Sequence, residues 1–143
     1  MMYKIKNLLF TLTLVFPFFI SAQCRGYSKN DCLPKLDNYI HTGQINSKKI
    51  KEGEKIEFMI TFYTGQEYRI VACYEDVFET VKFKVMDSKR RLIYENLSGK
   101  DLTFKFKVAS TQQLIVSIYV PKSIENESLE IEGCVSALVG FKF

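Results

Sequence analysis

The chain contains one histidine, His41, among 143 residues, and no apolar run long enough to cross a bilayer. The first scarcity limits chemistry. Any serine or cysteine hydrolase built on a histidine base would have to use His41, which stands just before "TGQ", and no nucleophile-elbow motif accompanies it. A histidine-based zinc site lacks ligands for the same reason. The second scarcity limits location. The longest apolar stretch, Leu8 to Ile20, has 13 residues, where a membrane helix needs about 20. An excess of one charge is also missing. The formal net charge is only +4, and helical periodicity is almost absent. Nucleic acid is therefore not an expected partner.

Near the start, Lys4 and Lys6 precede the apolar stretch, and Ser21-Ala22 follow it. Basic, then apolar, then small is the layout of a secretory signal peptide, predicted here over residues 1–22 with cleavage after Ala22 or Gln23. Two of the 20 Lys and Arg residues leave with it, so 18 basic residues face 16 acidic ones. The remaining roughly 120 residues fit one domain with one modest core.

All four cysteines, Cys24, Cys32, Cys73 and Cys134, lie beyond the leader. In an exported chain they imply two bridges. Cys24 could instead be the lipid-bearing first residue of an anchored protein. However, Gln23 occupies the place where lipobox motifs carry Gly, Ala or Ser, and lipidation would leave three thiols. A secreted or periplasmic location follows, with a lipid anchor through Cys24 as the alternative.

From Lys55 onward the chain alternates with period two. "KIEFMITFY" sets Ile56, Phe58, Ile60 and Phe62 against Glu57, Met59, Thr61 and Tyr63. "TGQE" leads into "YRIVACY", and "VKFKVMD" buries Val81, Phe83 and Val85. "SKR" leads into "RLIYEN", and "LTFKFKV" buries Leu102, Phe104, Phe106 and Val108. "QLIVSIYV" ends at Pro121, and "CVSALVGFKF" closes the chain after a polar loop. Short strands joined by turns predict an all-β antiparallel sandwich of jelly-roll or Greek-key type, with about seven or eight strands. Residues 55–74 also echo residues 101–120, Phe58 falling on Phe104 and Gln66 on Gln112, which predicts two similar hairpins.

Alternation places Cys73 with Arg69 and Val71, and Cys134 with Ser136 and Lys142, all facing away from the main core. A Cys73–Cys134 bridge between antiparallel neighbours follows, with Cys24–Cys32 clipping the start of the chain. That clip is expected to hold a short N-terminal helical turn in which Leu33, Leu36 and Ile40 share a side and Gly43 ends it, His41 standing at its end. Residues 23–49 form this segment, and residues 50–143 form the sandwich.

Three segments, "IKEGEKIEFMITFYTGQEYRI", "VKFKVMDSKRRLIYE" and "LTFKFKVASTQQLIVSIYV", together resemble the bacterial pre-peptidase C-terminal (PPC) domain. The resemblance spans roughly residues 50–120. It implies a jelly-roll accessory module of the kind that accompanies secreted enzymes. The chain departs from that family in its two cysteine pairs and its final strand. It is also similar to small secreted proteins of Bacteroidetes-type bacteria that have no assigned activity.

Candidate chemistry is sparse, and no cofactor is expected. Glu75, Asp76 and Glu79 gather hard oxygens in "YEDVFE" and are candidates for calcium, although the spacing fits no EF-hand and solvated loop carboxylates are commoner. Lys82, Lys84, Lys105 and Lys107 project outward. If their strands are neighbours, they form a basic face for a polyanion such as an anionic glycan or envelope component, though outward lysines also simply keep strands soluble. Tyr63, Tyr68, Tyr74 and Tyr119 could offer a sugar-stacking platform, but most are better read as strand formers and core. The expected role is a non-enzymatic binding or accessory module. The rivals are a small hydrolase using loop carboxylates and a purely structural envelope protein.

Overall fold

A computed structural model describes residues 22–96, 102–125 and 129–143. The predicted leader, 1–22, lies almost wholly outside the described residues. The chain begins with a helical stretch, α1 (Ala22–Tyr27), which continues through a π turn (Ser28–Cys32) and a 3-10 turn (Leu33–Leu36). Eight strands follow: β1 (Ile40–Lys51), β2 (Lys55–Phe62), β3 (Glu67–Tyr74), β4 (Lys82–Asp87), β5 (Leu92–Asn96), β6 (Thr103–Lys107), β7 (Gln112–Tyr119) and β8 (Glu132–Lys142). The sandwich therefore starts at Ile40, ahead of the residue 50 expected from alternation.

The strands form two four-stranded antiparallel sheets, β1-β8-β3-β6 and β2-β7-β4-β5. The pairs β1:β8, β2:β7, β3:β6 and β4:β5 show the first half of the chain laid antiparallel on the second, in the winding of a jelly roll. The inward faces are those the alternation predicts. Phe62, Phe83, Val85, Val116 and Ile118 are fully buried between the sheets. Tyr94, Phe104 and Phe106 stack at centroid distances of 4.5 and 5.0 Å, and Phe62 meets Tyr68 edge-on at 4.9 Å. Burying rings in such offset and edge-on pairs adds to the area term.

One expectation fails here. The two echoing units are not hairpins. β2 and β3 lie in different sheets, as do β6 and β7, so each unit is an arch that crosses the sandwich. The two crossings run side by side: Val108 N–H donates to Gln66 O at 3.2 Å and Thr64 N–H to Thr111 Oγ1 at 3.1 Å. Alternation shows that both strands have an apolar face, but not whether the chain stays in its sheet after the turn. An arch buries both faces in one core just as a hairpin does.

The N-terminal stretch covers the outer face of the first sheet. Val71, Leu138 and Ile45 form an apolar strip there, and Leu36, Tyr39 and Leu33 pack on it. Close approach depends on Gly140, where a Cβ would come within 2.7 Å of Tyr39 Cβ. Ser28 donates to Cys24 O at 2.8 Å and shares a 2.6 Å hydrogen bond with Ser136 Oγ. The helical stretch thus ends earlier than expected: Ile40 and His41 already belong to β1, and Gly43 sits within that strand at φ 89°.

The bridges are Cys24–Cys134 and Cys32–Cys73, with Cα separations of 5.3 and 5.8 Å, not the expected 24–32 and 73–134. Cys73 and Cys134 do face outward, but the register sets Ser136 opposite Cys73 and leaves Cys134 on the diagonal. Diagonal neighbours stand about 7–8 Å apart, beyond the usual reach of a disulfide. Cys24 and Cys32, eight residues apart in a helical run, are separated by about 12 Å of helix rise. Each cysteine of the cover therefore bonds down to the sheet beneath it.

Candidate functional site

The sheets differ in what lies on them. The first carries the disulfide-tied cover, whereas no described segment packs over the outer face of the second. On that second face the register builds rows across strands. Lys55, Tyr119 and Lys82 form one row, and Glu57, Ser117, Lys84 and Glu95 the next. Met59, Ile115 and Met86 form a third. Met59 is 60 % exposed, and Leu92 and Ile93 on neighbouring β5 are 57 % and 46 % exposed.

Ser117 is the small residue at the centre of the first two rows, and around it opens a cleft of 320 Å³ lined by Lys55, Glu57, Lys82, Lys84, Arg90 and Tyr119. Arg90 reaches in from the turn between β4 and β5. Asp87 shapes that turn by accepting from the N–H groups of Lys89 and Arg91, and Arg90 takes a φ of 64°. The Arg90 fork binds both Glu57 oxygens, at 3.0 and 2.9 Å, while Lys55 sits 3.2 Å from the same carboxylate. These cations hold the Glu57 carboxyl below the usual carboxylate range, the Arg90 hydrogen bonds contributing most. Lys84 pairs with Glu95 at 3.2 Å, and Lys82 has no ion pair among the described residues. Four cations thus share two carboxylates at a hydroxyl-floored cleft edged by a tyrosine. Such a site has hydrogen-bond donors to spare for an added anion.

The candidate basic face, conditional on its strands being neighbours, is only half present. Lys82 and Lys84 line the cleft, but Lys105 and Lys107 lie on β6, an edge strand of the other sheet, and project from the opposite side of the sandwich. The face is completed instead by Lys55 and Arg90. Lys55 was visible as an outward β2 residue, but its neighbour across the sheet was not.

The remaining candidates separate. Among the described residues, no three His, Cys, Asp or Glu side chains come together to hold a metal ion, so Glu75, Asp76 and Glu79 do not form the cluster that the calcium candidate needs. Glu75 and Asp76 face Tyr27 instead. Burial first, then Asp31, Glu75 and Asp76, push its hydroxyl up to about 12. His41 lies in β1 opposite Gly140, with Nε2 3.2 Å from Gln44 O, and not at a helix end. Tyr68 belongs to the core, its hydroxyl bonded to Gln66 and to the Tyr63 N–H.

No family model matches the chain, and no curated protein matches it. Among solved structures, it is similar to PliG of Aeromonas hydrophila, a periplasmic lysozyme inhibitor of g-type lysozyme. The TM-score is 0.52 at 10 % identity, over 73 % of this chain and 89 % of that one. The shared feature is the fold. A de novo designed double-stranded β-helix aligns at a TM-score of 0.35 and 12 % identity, over 69 % of this chain and 99 % of that one. With no family match, the PPC resemblance stands at the level of a β-sandwich pattern.

Proposed function

We propose that this is a non-enzymatic binding module that works outside the cytoplasm and holds an anionic envelope component, of the acidic-glycan type, in the cleft of the second sheet. One observation carries the reading: Lys55, Lys82, Lys84 and Arg90 surround Ser117 and Tyr119 on the uncovered face, with only two carboxylates to balance them. Tyr119 offers a ring for a sugar face, and the cations offer partners for its acid groups. Two disulfides favour an oxidising compartment. With Cys24 Sγ bonded to Cys134, no sulfur valence remains for a lipid thioether, which disfavours the anchored alternative.

The test is binding to immobilised heparin and to polygalacturonate. Retention at about 50 mM salt and release by about 500 mM is expected, because exposed charges are screened over a few ångströms at the higher salt. Replacing Lys82 and Lys84 with glutamine should abolish retention, and replacing Lys107 should leave it intact. Retention that persists in the Lys82/Lys84 variant would sink the reading. The likeness to PliG over 89 % of its length favours a second reading, inhibition of a lysozyme. A g-type lysozyme whose turnover is unchanged at molar excess of this protein would dispose of it.

A further inference from the structure

On the other side of the sandwich, Arg69 stands in the middle of β3, facing outward. Its cross-strand neighbours are Gly140 on β8 and Lys105 on β6. Like charges directly opposite one another destabilise a sheet. Neither Arg69 nor Lys105 has an ion pair among the described residues, although exposed cations elsewhere on the molecule do. The nearest row accounts for itself. Glu67, opposite Lys107 and Lys142, pairs with Lys142 at 3.4 Å and accepts from the Tyr39 hydroxyl. That carboxylate is already committed. The Arg69 guanidinium lies 5.9 Å from the Tyr39 ring centre, and its Nε is buried with no hydrogen-bond partner. Buried donors are almost always paired, by protein or by ordered water, and no acceptor from the described residues reaches this Nε.

Beside Arg69 a cleft of 530 Å³ opens between residues 34–37 of the cover and the edge strand β6. Pro34, Val71 and Leu102 give it an apolar lining, and Lys35, Asp37 and Arg69 give it charge. We propose that this cleft is a second, separate anion site, which takes a small organic monocarboxylate with a short apolar tail. The guanidinium fork matches a planar carboxylate. The acceptor enters between Arg69 and Lys105 and removes the like-charge opposition. The hydrocarbon tail lies along exposed Pro34 at the mouth of the cleft, with Val71 and Leu102 nearly covered beneath it. Asp37 at the same cleft works against a multiply charged ligand, so phosphate is a poorer fit than a monoanion. The site gives Lys105 a role distinct from the polyanion face, and it does not depend on the cleft of the second sheet.

The experiment is an amide NMR titration of the intact, disulfide-bonded protein with sodium butyrate, at ionic strength held constant with chloride. Saturating shifts confined to the Val71, Thr103 and Arg69 region are expected. R69Q should abolish them, and K105Q and K35Q should each weaken binding by about three- to tenfold, the effect of removing one partly screened charge. The K82Q/K84Q double variant should bind butyrate normally. Diffuse or non-saturating shifts, butyrate shifts that survive R69Q, or equal shifts from phosphate would each overturn the proposal. If R69Q does not fold, K105Q and K35Q decide: both are surface changes, and wild-type affinity in both rejects the site.

Discussion

Glu57 shows how one side chain can tune the cleft. The Arg90 fork, then Lys55, keep its carboxyl ionised below the usual range. Because its folded value is lowered, its contribution to stability is present above the ordinary carboxylate value and is lost as pH falls through the lowered one. Protonation also frees Arg90 and Lys55. Polyanion binding should therefore strengthen in that acid window, while stability declines. Glu57→Gln should bind heparin several-fold more tightly at neutral pH and show no further acid rise, as read from retention across a pH series. At Gly140 the expected effect is structural: Gly140→Ala places a methyl 2.7 Å from Tyr39 Cβ and 3.2 Å from Leu36 Cδ2. A loss of about 1–3 kcal/mol in urea unfolding is expected from such overpacking.

Among the elements, the N-terminal cover decides what the first sheet can offer. Without it, Val71, Leu138 and Ile45 would lie open. The two bridges span 110 and 41 residues. In the chain-entropy account, each alone contributes about 4–5 kcal/mol, but the loops are nested and the terms do not simply add. Replacing Cys32 and Cys73 with serine should cost about 2–4 kcal/mol. It should raise amide exchange in residues 22–39 well before the sandwich opens. Non-reducing peptide mapping should join the Cys24 peptide to that of Cys134 and the Cys32 peptide to that of Cys73. A Cys24–Cys32 cross-link would overturn this arrangement.

For the whole molecule, the two sides of the sandwich carry different work. One outer face is largely closed by its own chain. The other presents Lys55, Lys82, Lys84 and Arg90 beside Met59, Leu92 and Ile93. Self-association through the open face would bring cationic clefts together, which costs free energy unless an anion lies between them. The protein alone should therefore sediment as a monomer at low salt, and a polyanion chain long enough to reach two clefts should shift it to larger species. Sedimentation with and without heparin checks both outcomes. Larger species without polyanion at low salt would show that the apolar row outweighs the charges.

The period-two pattern alone determined which residues face inward: Phe62, Phe83, Val85, Leu102 and Val108 are all buried. It also determined that Cys73 and Cys134 face away from the core, and that the outward positions of β4 and β6 carry lysine. These are properties of a residue and its immediate neighbours, set by the alternating pleat of a strand. The tertiary structure decided everything that depends on partners distant in the chain. It put Ser136, not Cys134, opposite Cys73, and set the helical cover on Val71 and Leu138. It also turned the two echoing units into arches. In the same way it separated Lys105 and Lys107 from Lys82 and Lys84 by a whole sandwich, and gave those two Lys55 and Arg90 as neighbours instead. The physical reason is common to all of these. Burial rewards a strand for having an apolar face, whichever sheet it joins, so the strand's own residues do not specify its neighbour; cross-strand register and sheet assignment emerge only when all the faces are closed into one core.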